Sequence, residues 1–196
     1  MPFNEFRCAA NENWLNMGHD AFMKNAFIRL FKSIVQYSIY FFYNWLNIKE
    51  FQYRGLTEGE VNIAKKVFHN LINYNDVKIF NIRYLPWQPK SILMAPNGRI
   101  FVNQELFVKD YSECSIAMQG VFIHELTHIL QYQKHKNVVL RGFILQSAYY
   151  LSFKLYNPYK YKLIEGKLFE QYNIEQQGDI ARDIFFEKIP NIIIQN

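Results

Sequence analysis

The spacing of apolar residues changes character several times along the chain, and each change predicts an element. Residues 1–20 are mixed and polar, without periodicity. From Ala21 to Ile48, Phe22, Ala26, Phe27, Leu30, Phe31, Ile34 and Val35 recur at helical spacing, with Lys24, Arg29 and Lys32 between them, so one or two helices are expected. The uncharged part, Ser33 to Ile48, is 16 residues long and interrupted by Gln36, Ser38, Asn44 and Asn47. A bilayer span needs about 20 mainly apolar residues. A helix packed on a domain is therefore the reading, with membrane contact through 21–48 as the less favoured alternative.

Thr57 and Glu60 have the spacing of a capping box, which predicts a helix with Val61, Ala64, Val67, Phe68 and Leu71 on one stripe, ending near Asn73 to Asn75. Val77 to Ile82 alternates as a strand does, and Pro86 and Pro89 close it. Pro96-Asn97-Gly98 is a turn signal between Ile92-Leu93-Met94 and Arg99-Ile100-Phe101-Val102, which predicts a strand pair. Arg99 to Asn103 is expected as the edge strand of a cleft, where an extended peptide could be added.

Ser112 or Ser115 can cap the next helix, which runs through Met118, Val121, Phe122, Leu126 and Ile129 to about Lys134. It is apolar almost all round, the mark of a buried central helix. Asn137 to Phe153 is a further apolar, aromatic helix; Asn157-Pro158 breaks it, Tyr159 to Lys167 reads as an irregular loop, and a last helix is expected over about Asn173 to Lys188. The elements add up to an α+β domain, mostly helical, with a small antiparallel or mixed sheet ahead of a buried helix. The organisation expected is an N-terminal helical segment over 1–50, packed on the domain or facing a membrane or partner, followed by a main domain over 51–196.

The buried helix carries the chemistry. His124-Glu125-Leu126-Thr127-His128 places two imidazoles four residues apart, on one helical face, with a carboxylate beside the first. A buried apolar helix cannot cheaply hold three such groups unless they are paired or bind a metal. A catalytic zinc usually takes three protein ligands. A third histidine at 134, with glycine at 131, would extend the motif, but those positions are Lys134 and Gln131, and His135 misses the spacing by one. Glu175, 47 residues after His128, offers a carboxylate instead, with Asp179 on the same helical face to accept the spare ring N–H of a ligating histidine. One zinc ion per chain is expected, held by His124, His128 and Glu175. Glu125 would act as general base, deprotonating water and returning the proton to the leaving amine. Tyr149, Tyr161, Tyr172 and Arg182 are the candidates for stabilising the oxyanion. Gln131 and Gln133 are expected to cap the helix or line the cleft, and His19 and His69 are ordinary histidines.

Composition narrows the partners. Half of the 196 residues are hydrophobic and 18% are aromatic, which excludes disorder. The net charge of +5 comes without a dense basic run, so nucleic acid is not an expected partner; the charge favours approach to anionic surfaces such as cell envelopes. Cys8 and Cys114 are too few for a disulfide framework. No standard signal peptide is visible at the start of the sequence.

His124-Glu125-x-x-His128 with a distant Glu175-x-x-x-Asp179 is the pattern of gluzincin-type metallopeptidases. The stretches around them, Val121 to Gln133 and Tyr172 to Ile180, resemble the zincin-like metallopeptidase domains attached to, or encoded beside, Vgr and Rhs proteins of bacterial type VI secretion systems. The resemblance covers roughly residues 57 to 187. It implies a zincin-like fold, hydrolysis of a peptide or protein substrate, delivery on a Vgr or Rhs secretion tip as an antibacterial toxin, action in the target-cell periplasm, and a cognate immunity protein. Gly178 departs from the alanine-like residue of that pattern, and signals close packing against the active-site helix. Two rival readings of the same residues are a non-catalytic module stabilised by a metal, and an envelope toxin that perturbs membranes.

Overall fold

The computed structural model describes residues 28–38 and 51–194. A boundary between compact units falls between 49 and 50. In the first unit, 28–38 is helical (α1), and exposes Leu30, Phe31 and Ile34. The rest of the expectation for 1–50 lies outside the described residues, as do Cys8 and His19.

The second unit runs β1 (Tyr53–Arg54), α2 (Glu58–Phe68), β2 (Ile79–Phe80), β3 (Ile100–Phe101), α3 (Ile116–Gln133), α4 (Val138–Leu151) and α5 (Ile174–Phe185), with short 3₁₀ turns between them. It is an α+β arrangement dominated by helices. The capping box forms as the spacing predicts: the Thr57 hydroxyl accepts from the Glu60 N–H at 3.0 Å, and the Glu60 carboxylate accepts from the Thr57 N–H at 2.9 Å. Glu60 does more than cap. It is fully buried, accepts from both terminal guanidinium nitrogens of Arg54 at 2.8 and 2.6 Å, and accepts from the Tyr111 N–H at 2.9 Å. One carboxylate thus ties β1, the start of α2 and the approach to α3 together, its burial offset by four hydrogen bonds.

Helix α2 stops at Phe68, earlier than the Asn73 to Asn75 expected. His69 turns into positive φ and its N–H closes back on Lys65. Beyond it the Asn73 backbone is taken up by Gln133, whose amide bonds both its N–H and its carbonyl, and the Tyr74 hydroxyl fixes the turn by donating to the His69 carbonyl at 2.7 Å.

The sheet is small and mixed, in the order β1-β2-β3. Tyr53 pairs with Phe80 antiparallel, and Ile79 and Phe80 pair with Ile100 and Phe101 in parallel. Ile79 and Ile100 point into the core, while Tyr53, Phe80 and Phe101 stack on the other face with ring centroids 5.5 Å apart at each step. The strand expected over 77–82 is confined to two residues. The turn at Pro96-Asn97-Gly98 does reverse the chain, with Gly98 at φ 79° and Met94 bridged antiparallel to Phe101. β3 is an outer strand of this sheet, as expected of Arg99 to Asn103, and on its open side only the isolated bridge at Met94 meets it among the described residues.

Helix α3 lies at the centre, with Phe122, Ile123, Leu126 and Ile129 inaccessible to solvent. Its cap is Ser115, not Ser112. The helix that packs most extensively against it is α5. Glycine makes that approach possible at two levels. A Cβ on Gly120 would fall 2.3 Å from Phe186 Cζ, and one on Gly178 would fall 2.5 Å from His124 Cε1.

Candidate metal centre

Helical geometry brings His124 and His128 onto one face of α3, their ring centroids 5.0 Å apart. Both rings are buried, so their polar atoms need partners. The partners come from α5. Asn173 caps this helix by accepting from the N–H groups of Glu175 and Gln176, each at 2.9 Å, while Gln176 Oε1 accepts from the Asn173 N–H. The cap fixes the first turn, and with it Glu175, whose Oε2 lies 3.3 Å from His124 Nε2 and 3.7 Å from His128 Nε2. The donor atoms of His124, His128 and Glu175 all lie within 4.8 Å of one another.

Each histidine is turned by a hydrogen bond on its other nitrogen. His124 Nδ1 donates to Asp179 Oδ1 at 3.0 Å, and Asp179 is held in turn by Arg182 Nη1 at 2.9 Å. His128 Nδ1 donates to Gln131 Oε1 at 2.9 Å. The Gln131 amide is itself oriented, because its Nε2 donates to the Ile174 carbonyl and to Gln177 Oε1, each at 3.0 Å, and Gln177 Nε2 donates to the Tyr172 carbonyl at 2.6 Å. Both rings therefore hold a proton on Nδ1 and turn Nε2 toward Glu175, the orientation a metal ligand needs. From sequence Gln131 is only a helix cap or a cleft lining; its part in orienting His128 depends on a chain of amides that the fold brings into line.

The electrostatics call for a cation at this point. Burial works against a charged His124 ring, but the carboxylates of Asp179, Glu175 and Glu125 outweigh it and carry its pKa up to about 10. Burial also opposes charge on Glu175, yet the two histidines hold its carboxyl below the ordinary range. His128 is depressed, chiefly by burial, against the pull of Glu175. A positive charge between these groups is favoured, whether a proton or a metal ion supplies it.

Glu125 is buried beside them. Burial pushes its pKa up to about 8; the charge on His124 and a hydrogen bond from the Ala95 backbone pull it down, while Glu175 adds to the rise. Its Oε2 has no hydrogen-bond partner. A buried carboxylate oxygen left unpaired is costly in a folded protein, and such groups gather at working sites.

The four oxyanion candidates stand differently. The Tyr172 hydroxyl is engaged with the Ile164 N–H and the Lys162 carbonyl, and that of Tyr161 donates to Asp183 Oδ2. Arg182 holds Asp179, and the Tyr149 ring packs edge-on against Tyr150. A tyrosine that does reach the centre is Tyr159, its ring centroid 6.4 Å from that of His124. Burial first, then the carboxylates of Glu175, Glu125 and Asp179, drive its hydroxyl far above the ordinary value, so it is a neutral donor beside the site. Asn157 accepts the Tyr159 N–H, and Asn173 donates to the Pro158 carbonyl, which ties this loop to the cap of α5. Nothing in the spacing of 14 tyrosines marks Tyr159.

An α+β domain in which two helices close two histidines and a glutamate around one point, with a glutamate waiting beside them, defines a candidate metal-binding protein of the H-E-x-x-H type. No protein-family model matches the chain. The type VI secretion system spike protein VgrG2b of Pseudomonas aeruginosa is 48% identical to it over 136 residues, a match that spans 69% of this chain and 13% of that protein. The solved structure of the effector domain of Pseudomonas aeruginosa VgrG2b is 46% identical, with a TM-score of 0.63, over 68% of this chain and 73% of that one. The chain belongs to the family of the VgrG2b effector domain.

Proposed function

We propose that this domain is a zinc-dependent metallopeptidase of zincin type, and that it serves as an antibacterial effector of a type VI secretion system. The observation that carries the enzymatic reading is the convergence of His124, His128 and Glu175 next to a buried Glu125 with an unpaired oxygen. Two imidazole nitrogens and one carboxylate oxygen suit zinc, and three protein ligands leave room for chemistry where a structural site would close the shell with a fourth. The absence of a side chain at Gly178 fits the same reading, because any larger residue would strike the His124 ring.

His124, His128 and Glu175 would hold the ion. Zinc bound there would supply Lewis acidity to a water molecule and to the scissile carbonyl. Asp179 and Gln131 keep both imidazoles turned with Nε2 inward. Glu125 takes the proton of the attacking water on its free oxygen and returns it to the leaving amine; a carboxyl whose burial lifts its pKa toward neutrality is suited to both steps. Tyr159, neutral and beside the three carboxylates, donates to the oxyanion that forms as water adds.

The family resemblance supports delivery on a VgrG-type tip, action in the target-cell periplasm, and a cognate immunity protein. The substrate is a protein or a cell-wall peptide. The test pairs metal analysis with a peptide-library cleavage assay. Glu125→Gln should bind zinc as the unmodified chain does and cleave nothing, whereas His124→Ala and His128→Ala should lose both properties. Full cleavage by Glu125→Gln would sink the mechanism.

A further inference from the structure

Helix α4 is apolar on nearly every face, yet only Val138 of its residues is buried. Phe143 is 70% exposed, and just beyond the helix Phe153 and Leu155 are each 90% exposed. These tips are not on a loose loop. Phe153 and Lys154 both take positive φ, at 51° and 67°, and the N–H groups of Phe153, Lys154 and Leu155 close back on the carbonyls of Tyr150, Tyr149 and Ser152 at 2.9 to 3.0 Å. Two consecutive left-handed residues without glycine are an expensive turn, held here in a fixed shape that presents a phenyl ring and a leucine outward.

Charge follows the same segment. Residues 134–168 hold seven Lys and Arg against one acid, Glu165, for a net +6, more than the +5 that the whole chain carries with 22 basic and 17 acidic residues. The basic excess of the protein therefore sits in a stretch that also exposes several large apolar side chains. A second copy of the chain is a poor occupant for such a face, since residues 138–164 hold four basic side chains (Arg141, Lys154, Lys160 and Lys162) and no acid, and two like-charged faces would meet. A protein interface core is normally depleted of lysine, whereas aliphatic and phenyl tips collared by Tyr and Lys are the composition of a lipid–water interface. Crossing the bilayer is excluded for this helix: 14 residues reach about 21 Å, against roughly 30 Å of hydrocarbon. Among the described residues no helix is long and apolar enough to span.

We propose that α4 and the turn after it, residues 138–164, form a docking face for an anionic lipid surface. Phe153 and Leu155 enter the acyl boundary while Lys154, Lys160 and Lys162 lie among the headgroups. The face is distinct from 21–48, and docking does not depend on hydrolysis.

The test is co-sedimentation of the full chain with vesicles of phosphatidylethanolamine and phosphatidylglycerol, against vesicles of phosphatidylcholine alone. Binding is expected to the anionic vesicles and to weaken with salt. Phe153→Ser with Leu155→Ser should reduce it by about tenfold or more. Lys160→Gln with Lys162→Gln should reduce it by about fivefold for each lysine at low salt. All four side chains project into solvent, so circular dichroism and melting should be unchanged. Three results would each overturn the proposal: no binding to anionic vesicles, binding that survives the Phe153 and Leu155 changes and so belongs to another surface such as 21–48, or self-association in gel filtration that those changes abolish.

Discussion

Replacing Glu125 with glutamine should stabilise the metal-free protein, although it removes the residue assigned to the chemistry. The folded protein raises the pKa of Glu125 from 4.5 to about 8, chiefly by burial. At about pH 7 this carboxyl is ionised in the unfolded chain and largely protonated in the folded one. At about 1.4 kcal/mol per pKa unit, holding the proton from 4.5 up to neutrality costs the folded state about 3 kcal/mol. The amide avoids that cost but inherits the position of Oε2, which has no partner, at about 1 kcal/mol. The net gain is about 2 kcal/mol, or a rise in Tm of roughly 4–8 °C for a domain of this size. The sign follows from linkage. Between pH 4.5 and 8 the folded state holds a proton that the unfolded state has released, so the unmodified chain loses stability as pH rises through that window while Glu125→Gln does not. The advantage should grow from nothing near pH 4.5 to its full value near 8. Thermal melts of both proteins with a chelator, across that range, measure it. A gap independent of pH, or a glutamine variant less stable at neutrality, would refute the picture of a desolvated carboxylate.

Gly178→Ala should lose about 1 kcal/mol in urea unfolding and weaken zinc uptake, because the clash of its Cβ with the His124 ring outweighs the helix propensity alanine gains; a more stable variant with intact affinity would contradict the packing described. Gln131→Leu should weaken zinc affinity by about 10- to 100-fold in a competition titration, with the fold intact, since His128 Nδ1 loses its acceptor. Arg54→Leu should cost about 3–5 kcal/mol in denaturant unfolding, because the fully buried Glu60 loses both guanidinium bonds.

Much of the helical framework is legible in the sequence because helices announce themselves locally. Thr57 with Glu60, Ser115, and Asn173 with Gln176 mark starts through contacts within three residues. The meeting of His124, His128 and Glu175 is legible from the spacing of the three residues on two helices. The sheet is much less legible. Its strands are two residues long, and the pairing of β2 with β1 and β3 depends on register between distant segments that no local pattern specifies. The hold of Gln131 on His128, and any mark of Tyr159, are not legible for a related reason, since their neighbours come from α5 and from an irregular loop tied to its cap. Helix α4 shows the converse: an apolar pattern read from sequence as helical says nothing of which surface it faces, and here it faces solvent.

The direct contact of α5 with α3 through Gly178 ties the candidate centre to the order of folding events. His128 and Glu175 are 47 residues apart in sequence, and neither helix alone holds all three donors. Partly folded chains in which the two helices have not docked would present at most two of them. Acquisition of high metal affinity should therefore be a late event, slowed by the long loop that must close first. The rate at which a refolding chain captures zinc would then serve as a clock for the docking of its last helix.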